Sequence, residues 1–203
     1  MPIAVNADGF NSNAVLPYGL TVDHIKEAMS SFVDFLGIIN TRLQERDIVR
    51  LESIIMQANF SSMVGEFMAS AIPKCCPTLV KNQYHNGHPD LIPAGMFPND
   101  AAQYASAGIE IKSSRHTSGW QGHNPEDAWL MVFVFEASAP PDNAKGILPK
   151  PFKFRSVFGA SITKADWNFS GRSETSRRTI TASVNRSGYE KMVANSIYKD
   201  SQV

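Results

Sequence analysis

Two acidic residues and one lysine are the side chains in this sequence best suited to chemistry. Asp90 follows a proline, and Glu110 and Lys112 alternate with the apolar Ile109 and Ile111. Successive side chains of a strand point to opposite faces, so this alternation predicts a strand with Glu110 and Lys112 on one face. Two carboxylates and an ammonium group held together are the minimal equipment for metal-assisted hydrolysis of a phosphodiester bond.

Magnesium is the metal that this set of residues favours. Mg²⁺ takes oxygen ligands and keeps several waters, so Asp90, Glu110 and the backbone carbonyl of Ile111 would be a sufficient set of protein ligands for one or two ions. Lys112 would orient the attacking water, help to deprotonate it, or offset the charge that develops in the transition state. The sequence leaves these three roles of Lys112 open.

Hydrophobic periodicity predicts three helices before these residues. The first is capped by Thr21, the second covers residues 41–58, and the third covers residues 61–72 and ends at Pro73. The first two could form a helical hairpin, packed inside the subunit or against another one. In the third helix, Glu66 lies about 130° from the centre of the apolar stripe, so it is either simply solvated or at the edge of a site.

The strands predicted from the sequence place Asp90 near the Glu110 strand. Residues 78–85 and 88–92 flank Asn86-Gly87, a strong signal for a two-residue hairpin turn, which puts Asp90 on the second strand close to the turn. Residues 129–136 are almost continuously apolar, which predicts a central strand covered on both faces. Further strands are predicted at 152–155 and 179–184, and a closing helix at 188–198. We therefore expect an α/β fold in which helices flank a mixed sheet.

Length and composition favour one domain without disulfides. The chain has 203 residues, and its two cysteines, Cys75 and Cys76, are adjacent, which fits a reducing compartment. With His85 and His88 they could form a zinc site, although the spacing matches no recognised zinc pattern. The sequence has no run of about 20 apolar residues and no basic segment leading into an apolar one at its start, so we expect a cytoplasmic protein without a membrane span.

Charge is distributed unevenly along this chain of zero formal net charge. Residues 1–142 hold 8 lysines and arginines against 15 aspartates and glutamates, whereas residues 143–203 hold 11 against 4. A basic C-terminal third favours a polyanionic partner such as DNA. The alternative is a basic face that is merely solvated.

This arrangement resembles the PD-(D/E)xK nuclease superfamily, particularly the small type II restriction endonucleases. The resemblance covers roughly residues 60–136, in the order helix, three strands and a buried strand, and it rests on Pro89-Asp90 and on Glu110-Ile111-Lys112. It implies a restriction-endonuclease-like core in which Asp90 and Glu110 are metal ligands, Lys112 is the catalytic lysine and Glu66 is an auxiliary acid. Unlike many members, this sequence has no room for a full helix between the Glu110 strand and the next strand.

Within a single domain covering residues 1–203, we expect an N-terminal arm and helices at 1–58, a catalytic core at 59–138 and a basic DNA-recognition region at 139–203. DNA contacts would come from the polar residues after the Glu110 strand and from a segment rich in arginine and hydroxyl groups, because these types bind phosphates and base edges. The alternative for this second segment is a long polar surface loop. The candidates are Ser114, Arg115, His116, Trp120, Gln121, His123, Asn124, Lys164, Asn168, Arg172, Ser173, Arg177 and Arg178.

The function implied is a Mg²⁺-dependent restriction endonuclease, part of restriction-modification, that cuts duplex DNA at a short sequence. A palindromic target would favour a homodimer in which each subunit cuts one strand. Two alternatives remain open: a repair or recombination nuclease of the same fold, and a non-enzymatic DNA-binding module in which Glu110 and Lys112 merely pair.

Overall fold

The computed structural model describes residues 1–122, 124–170 and 181–200. Its helices are α1 (Val22–Gln44), α2 (Leu51–Ile54), α3 (Gln57–Cys75), α4 (Pro140–Ala144) and α5 (Arg186–Ala194). Its strands are β1 (Leu79–Lys81), β2 (Leu91–Pro93), β3 (Ile109–Ser114), β4 (Gln121–Gly122), β5 (Ala128–Glu136), β6 (Lys153–Ile162), β7 (Trp167–Ser170), β8 (Thr181–Val184) and β9 (Ser196–Lys199). None of the helices in these ranges has the length and apolar character needed to cross a membrane.

A six-stranded sheet in the order β1-β2-β3-β5-β6-β9 forms the centre of the fold. Strands β3 and β5 run parallel, whereas the other neighbouring strands of this sheet run antiparallel. A second sheet has the order β4-β8-β7. The fold is therefore of the α/β class with a mixed sheet flanked by helices, as the sequence predicts.

Strand β5 supplies apolar side chains to a core on each face of the large sheet. Met131 and Phe133 pack into one core with α1 and α3, and Leu130 and Val132 pack into another that includes residues of β8 and α5. Because both faces are covered, a polar residue at either set of positions would lose contact with water. The predicted central strand is confirmed.

The predicted first helix is confirmed, with Thr21 as its N-cap, but the predicted second helix at 41–58 is wrong. Residues 41–44 complete α1, and the chain then leaves the helix through Asp47, which has a φ of 55°. Asn40 fixes this break: its side chain donates to Glu52 at 3.0 Å and accepts from the Leu51 amide at 2.9 Å. The predicted helical hairpin is therefore absent from this segment, and α1 packs on α3 instead, as Phe32 does on Phe67.

The third helix, α3, is longer at both ends than the sequence predicts. It begins at Gln57 rather than at Ser61 or Ser62 and continues past Pro73 to Cys75. Pro73 lacks the N–H that would donate to the Ala69 carbonyl, and α3 continues for only two residues beyond it. The predicted orientation of Glu66 is confirmed, since its side chain is 67% exposed.

The predicted hairpin around Asn86-Gly87 is confirmed as an antiparallel pair, but its tight turn is wrong. Leu79 pairs with Pro93 and Lys81 with Leu91, and residues 82–90 form a long connection. Asn82 organises this connection, because its amide donates to the carbonyl oxygens of Pro89 at 3.0 Å and Ala102 at 2.8 Å. Asp90 consequently lies immediately before β2 rather than on it.

The C-terminal part of the chain also differs from its prediction. The strand predicted at 152–155 is the beginning of β6, which continues to Ile162, and the helix predicted at 188–198 ends at Ala194. Residues 196–199 form β9, in which Tyr198 pairs with Val157 of β6. Backbone groups of β6 at the edge of the large sheet bond to residues 196–199 as a strand, and they would have no such partners if these residues formed a helix. The predicted strand at 179–184 is described from Thr181 onward.

Candidate active site

The strands β2 and β3 diverge directly beside Asp90. They share one paired position, Leu91 with Ile109. The main-chain carbonyl of Asp90 accepts from the main-chain amide of Asn82, directly after β1, at 2.9 Å. The Asp90 carboxylate accepts instead from the main-chain amide of Ile111 in β3, at 2.8 Å. The carboxylate therefore lies in the fork between the two strands, next to Glu110.

Glu110 is held by cationic or hydrogen-bonding partners on both of its oxygens. One oxygen accepts from the Lys112 ammonium group, and the other lies 3.0 Å from Nδ1 of His88. The Glu110 side chain is 12% exposed. A carboxylate so far removed from water needs such partners, because desolvation disfavours its charge.

The two carboxylates have opposite shifts in pKa. Burial and the neighbouring Glu110 raise the pKa of Asp90 to about 7, although Lys112 and the Ile111 amide act against this rise. Burial also acts to raise the pKa of Glu110, but the hydrogen bond from His88 and the charge of Lys112 outweigh it and lower that pKa. The ionised form of Asp90 is therefore disfavoured, and a positive charge bound beside it would stabilise that form.

Lys112 is an ammonium group in this arrangement. Burial acts to lower the pKa of Lys112, but Glu110 and Asp90 outweigh it and raise the pKa. Of the three roles that the sequence leaves open, a raised pKa suits orienting water or offsetting negative charge better than accepting a proton.

An open cleft of about 1170 Å³ contains all four predicted site residues, Asp90, Glu110, Lys112 and Glu66. Glu66 reaches it from α3 and accepts a hydrogen bond from Lys81 at 2.7 Å. Asn124 of the predicted DNA contacts also lines this cleft, as do several polar residues of the loop between β1 and β2. The cleft is thus open to solvent and lined by many polar side chains.

The donor set fits a hard cation that keeps most of its waters. Within the described ranges, no group of three or more His, Cys, Asp or Glu side chains is arranged to hold a metal ion. Mg²⁺ does not require such a group, because one or two carboxylates and a carbonyl suffice. Asp90, Glu110 and the Ile111 carbonyl are the groups that the sequence predicts for this role, and the structure brings both carboxylates to the same cleft.

The alternative zinc ligands have other partners in the structure. The Cys76 thiol is buried and lies 3.1 Å from the Thr78 hydroxyl, and Cys75 contacts the Ala71 carbonyl of its own helix. His88 contacts Glu110.

The glycine before β3 brings the two site strands together. Gly108 has a φ of 141°, and a Cβ there would collide with the Leu91 carbonyl oxygen. Its amide donates to the Tyr18 hydroxyl at 2.9 Å, so the N-terminal segment fixes the start of β3. The backbone that leads into Glu110 is therefore anchored.

The structure divides the predicted DNA contacts into exposed and internally bonded residues. His116, Gln121, Asn124, Lys164 and Asn168 are exposed. Five others, His123, Arg172, Ser173, Arg177 and Arg178, lie outside the described residues.

Three of the residues in this segment have partners within the chain. Arg115 donates to the Ala137 carbonyl and lies 3.8 Å from Asp142, and the Ser114 hydroxyl accepts from the His116 amide. Trp120 is 2% exposed and packs in the core, so its prediction as a DNA contact is wrong. An indole ring placed between two sheets contributes more to stability by burial than by exposure.

Three ionisable residues of the cleft were not predicted as site residues from the sequence: Lys81, His88 and Glu126. His88 appeared only as a zinc ligand, although it immediately precedes Pro89-Asp90. Glu126 lies shortly before β5, and the parallel pairing of β5 with β3 brings the starts of both strands together. That pairing could not be read from the sequence, so the sequence contains no signal for Glu126.

Comparisons of this chain with protein-family models, with curated proteins and with solved structures find no match in any of the three. Function is therefore inferred from the geometry of the cleft.

Proposed function

We propose that this protein is a Mg²⁺-dependent endonuclease of restriction type that hydrolyses phosphodiester bonds in duplex DNA in the cytoplasm. The observation that carries the proposal is the Asp90 carboxylate in the fork between β2 and β3, with Glu110 and Lys112 beside it. The restriction-endonuclease-like fold belongs to the same proposal. It is supported by the parallel pair β3 and β5 and by the α3 acid at the cleft.

Each residue has a part that follows from its surroundings. Asp90, Glu110 and the Ile111 carbonyl would hold the ion, which when bound activates water and stabilises charge on the phosphate. Lys112 keeps its proton, so its ammonium group orients the attacking water and offsets charge on the scissile phosphate. Glu66, which is paired with Lys81 in the same cleft, would supply an auxiliary acid.

The DNA would approach over the exposed polar residues around the cleft. Asn124 lines the cleft, and the exposed Lys164 and Asn168 belong to the basic C-terminal third. Amide and ammonium groups of this kind bind phosphates and base edges. For a palindromic target, a homodimer would present two such clefts to the two strands.

The experiment is cleavage of plasmid DNA by the purified chain with Mg²⁺, Mn²⁺ or EDTA. We expect discrete fragments with either ion and none with EDTA. Asp90→Ala should reduce the rate at least about a hundredfold, because a ligand carboxylate is lost. Lys74→Ala, an exposed change at the end of α3, is the control and should cut as the wild type does.

Two results would exclude parts of this proposal. If the wild type cuts no DNA with either ion, the protein is not this enzyme, and a DNA-binding module becomes the better interpretation. If it cuts but Asp90→Ala cuts at the same rate, the active site lies elsewhere. Nicking of structured DNA without a fixed set of fragments would favour the repair or recombination nuclease.

A further inference from the structure

His88 lies between two carboxylates at the edge of the proposed metal site. Its Nδ1 is 3.0 Å from Oε2 of Glu110 and 3.1 Å from Oε2 of Glu126. The three side chains are 13%, 12% and 25% exposed, in the order His88, Glu110, Glu126. A single N–H group thus faces two acceptors in a place with little water.

The imidazole ring is fixed independently of these carboxylates. The main chain of His88 donates to the Gln103 carbonyl at 3.1 Å and accepts from the Ala105 amide at 2.8 Å. Its ring stacks on Tyr104, with centroids 5.4 Å apart and planes 21° from parallel. The Glu110 side chain has several rotatable bonds, so the anchored ring can fix the orientation of the carboxylate.

The carboxylates are the hydrogen-bond partners that the ring has within the described residues. Its other nitrogen, Nε2, is buried and has no hydrogen-bond partner there. Ionised carboxylates only accept hydrogen bonds, so Nδ1 carries the hydrogen that bonds to Glu110 and Glu126 whether the ring is neutral or charged. Glu126 is fixed in turn, because its main-chain carbonyl accepts from the Trp167 indole at 3.0 Å.

We propose that His88 is a positioning residue for Glu110 and that Glu126, which faces the same Nδ1, helps to hold the His88 ring in this orientation. Without this contact, the partner that the Glu110 side chain keeps among the described residues is Lys112, which would draw the carboxylate toward itself. Partners that orient a metal ligand affect affinity for the ion strongly, typically by about 10–100-fold. The ligand concerned is a divalent or trivalent cation that prefers oxygen, and the inference rests on the proposed function.

The test is terbium binding without DNA, measured by luminescence sensitised through Trp167, which lines the cleft. Terbium is an oxygen-seeking ion, and its displacement by Mg²⁺ reports the same site. His88→Ala should weaken terbium binding by about 10–100-fold. His88→Asn places an amide N–H near the position of Nδ1 and should bind within about threefold of the wild type, whereas His88→Gln, whose amide reaches further, should not.

Glu126→Ala provides a second and independent variant. Removing the carboxylate should weaken terbium binding by about tenfold, and Glu126→Gln, which keeps an acceptor for Nδ1, should restore most of it. Circular dichroism establishes that each variant is folded. If His88→Ala fails to fold, His88→Asn, His88→Gln and the Glu126 pair decide the question.

The outcomes separate this inference from the proposed function. If His88→Ala and Glu126→Ala bind terbium as the wild type does while Asp90→Ala does not, the positioning role is wrong and the metal site stands. If the wild type itself binds no terbium that Mg²⁺ displaces, the proposed metal site fails and the positioning role fails with it.

Discussion

Asp90 is partly buried and Asp166 is fully buried, and their surroundings shift their pKa values in opposite directions. Burial and Glu110 raise the pKa of Asp90 to about 7. Burial also acts to raise the pKa of Asp166, but hydrogen bonds, the strongest from Lys191, lower it to about 2. Asp166 has ample donors, whereas Asp90 has a like charge beside it.

The partners of Asp166 show what a structural carboxylate requires. Its side chain is 3% exposed and accepts from Lys191 at 2.6 Å, from Ser187 at 3.0 Å and from the Thr163 amide at 2.9 Å. These bonds connect α5 to the turn before β7. Among the described residues, the Asp90 carboxylate accepts one such bond, from the Ile111 amide, so it contributes less to the stability of the fold than Asp166 does.

Substitution of Lys112 should have the largest effect on the rate of DNA cleavage and should separate the site at Asp90 from the one at Asp166. Lys112→Ala leaves Asp90 and Glu110 without their ammonium neighbour, and we expect DNA cleavage to fall by about 10²–10⁴-fold. Lys191→Ala, which removes the lysine at Asp166, should cut normally at temperatures where it is folded. Initial rates with saturating Mg²⁺ measure both, and equal rates for Lys112→Ala and wild type would contradict the role of Lys112.

Asp166→Asn should be the more destabilising of the two aspartate changes. The amide loses the charged hydrogen bond that the buried carboxylate makes with an ammonium group, which lowers the free energy of unfolding by about 2 kcal/mol. This corresponds to a fall in melting temperature of about 4–8 °C. Since the folded pKa is lowered, this stabilisation is present above the ordinary value of 3.8 and is lost as the pH falls toward 2. Thermal melting at pH 7 and pH 2.5 measures it, with the exposed Asp34→Asn as control; an unchanged melting temperature at pH 7 would contradict the structural assignment.

Asp90→Asn should instead stabilise the protein without metal. An acid whose folded pKa is raised lowers stability at pH values above that pKa, so at pH 8 in EDTA we expect melting about 2–6 °C above wild type. The difference should narrow as the pH falls from about 7 toward 4, because Asp90 then takes up its proton in the wild type. Thermal melting across this range is the measurement. A lower melting temperature for Asp90→Asn at pH 8 would mean that the carboxylate is structural.

Glu66→Gln should give the smallest effect. The pair with Lys81 is exposed, at 67% and 40% for the two side chains, and such pairs contribute at most about 1 kcal/mol. We therefore expect a change in melting temperature within about 3 °C and a fall in cleavage rate of less than about tenfold. Cleavage assays in parallel with Asp90→Ala measure this ranking, and an equal loss in both variants would make Glu66 a principal site residue.

The local sequence pattern was sufficient to predict the strand that carries Glu110 and Lys112 and the strand beside it. Alternation of apolar and charged residues predicted β3, and the continuous apolar run predicted β5, because both patterns follow from which faces are buried. The N-cap at Thr21 is equally local. These features depend on near neighbours in the chain.

Contacts between distant segments explain what the sequence could not predict. The break after α1 depends on the contact of Asn40 with Glu52, and the long connection before Asp90 depends on the bond of Asn82 to Ala102. Likewise, His88 and Glu126 meet because β3 pairs with β5, which has no signature in either segment. Such pairings override local propensity.

The most direct test of the central claim is cleavage of duplex DNA by three folded proteins, the wild type, Asp90→Asn and Asp166→Asn, at equal concentration and 20 °C with Mg²⁺. If Asp90 binds the catalytic ion and Asp166 only stabilises the fold, the wild type and Asp166→Asn should cut DNA at similar rates. Asp90→Asn should then cut at least about a hundredfold more slowly. Cleavage by Asp90→Asn at the wild-type rate would contradict the account.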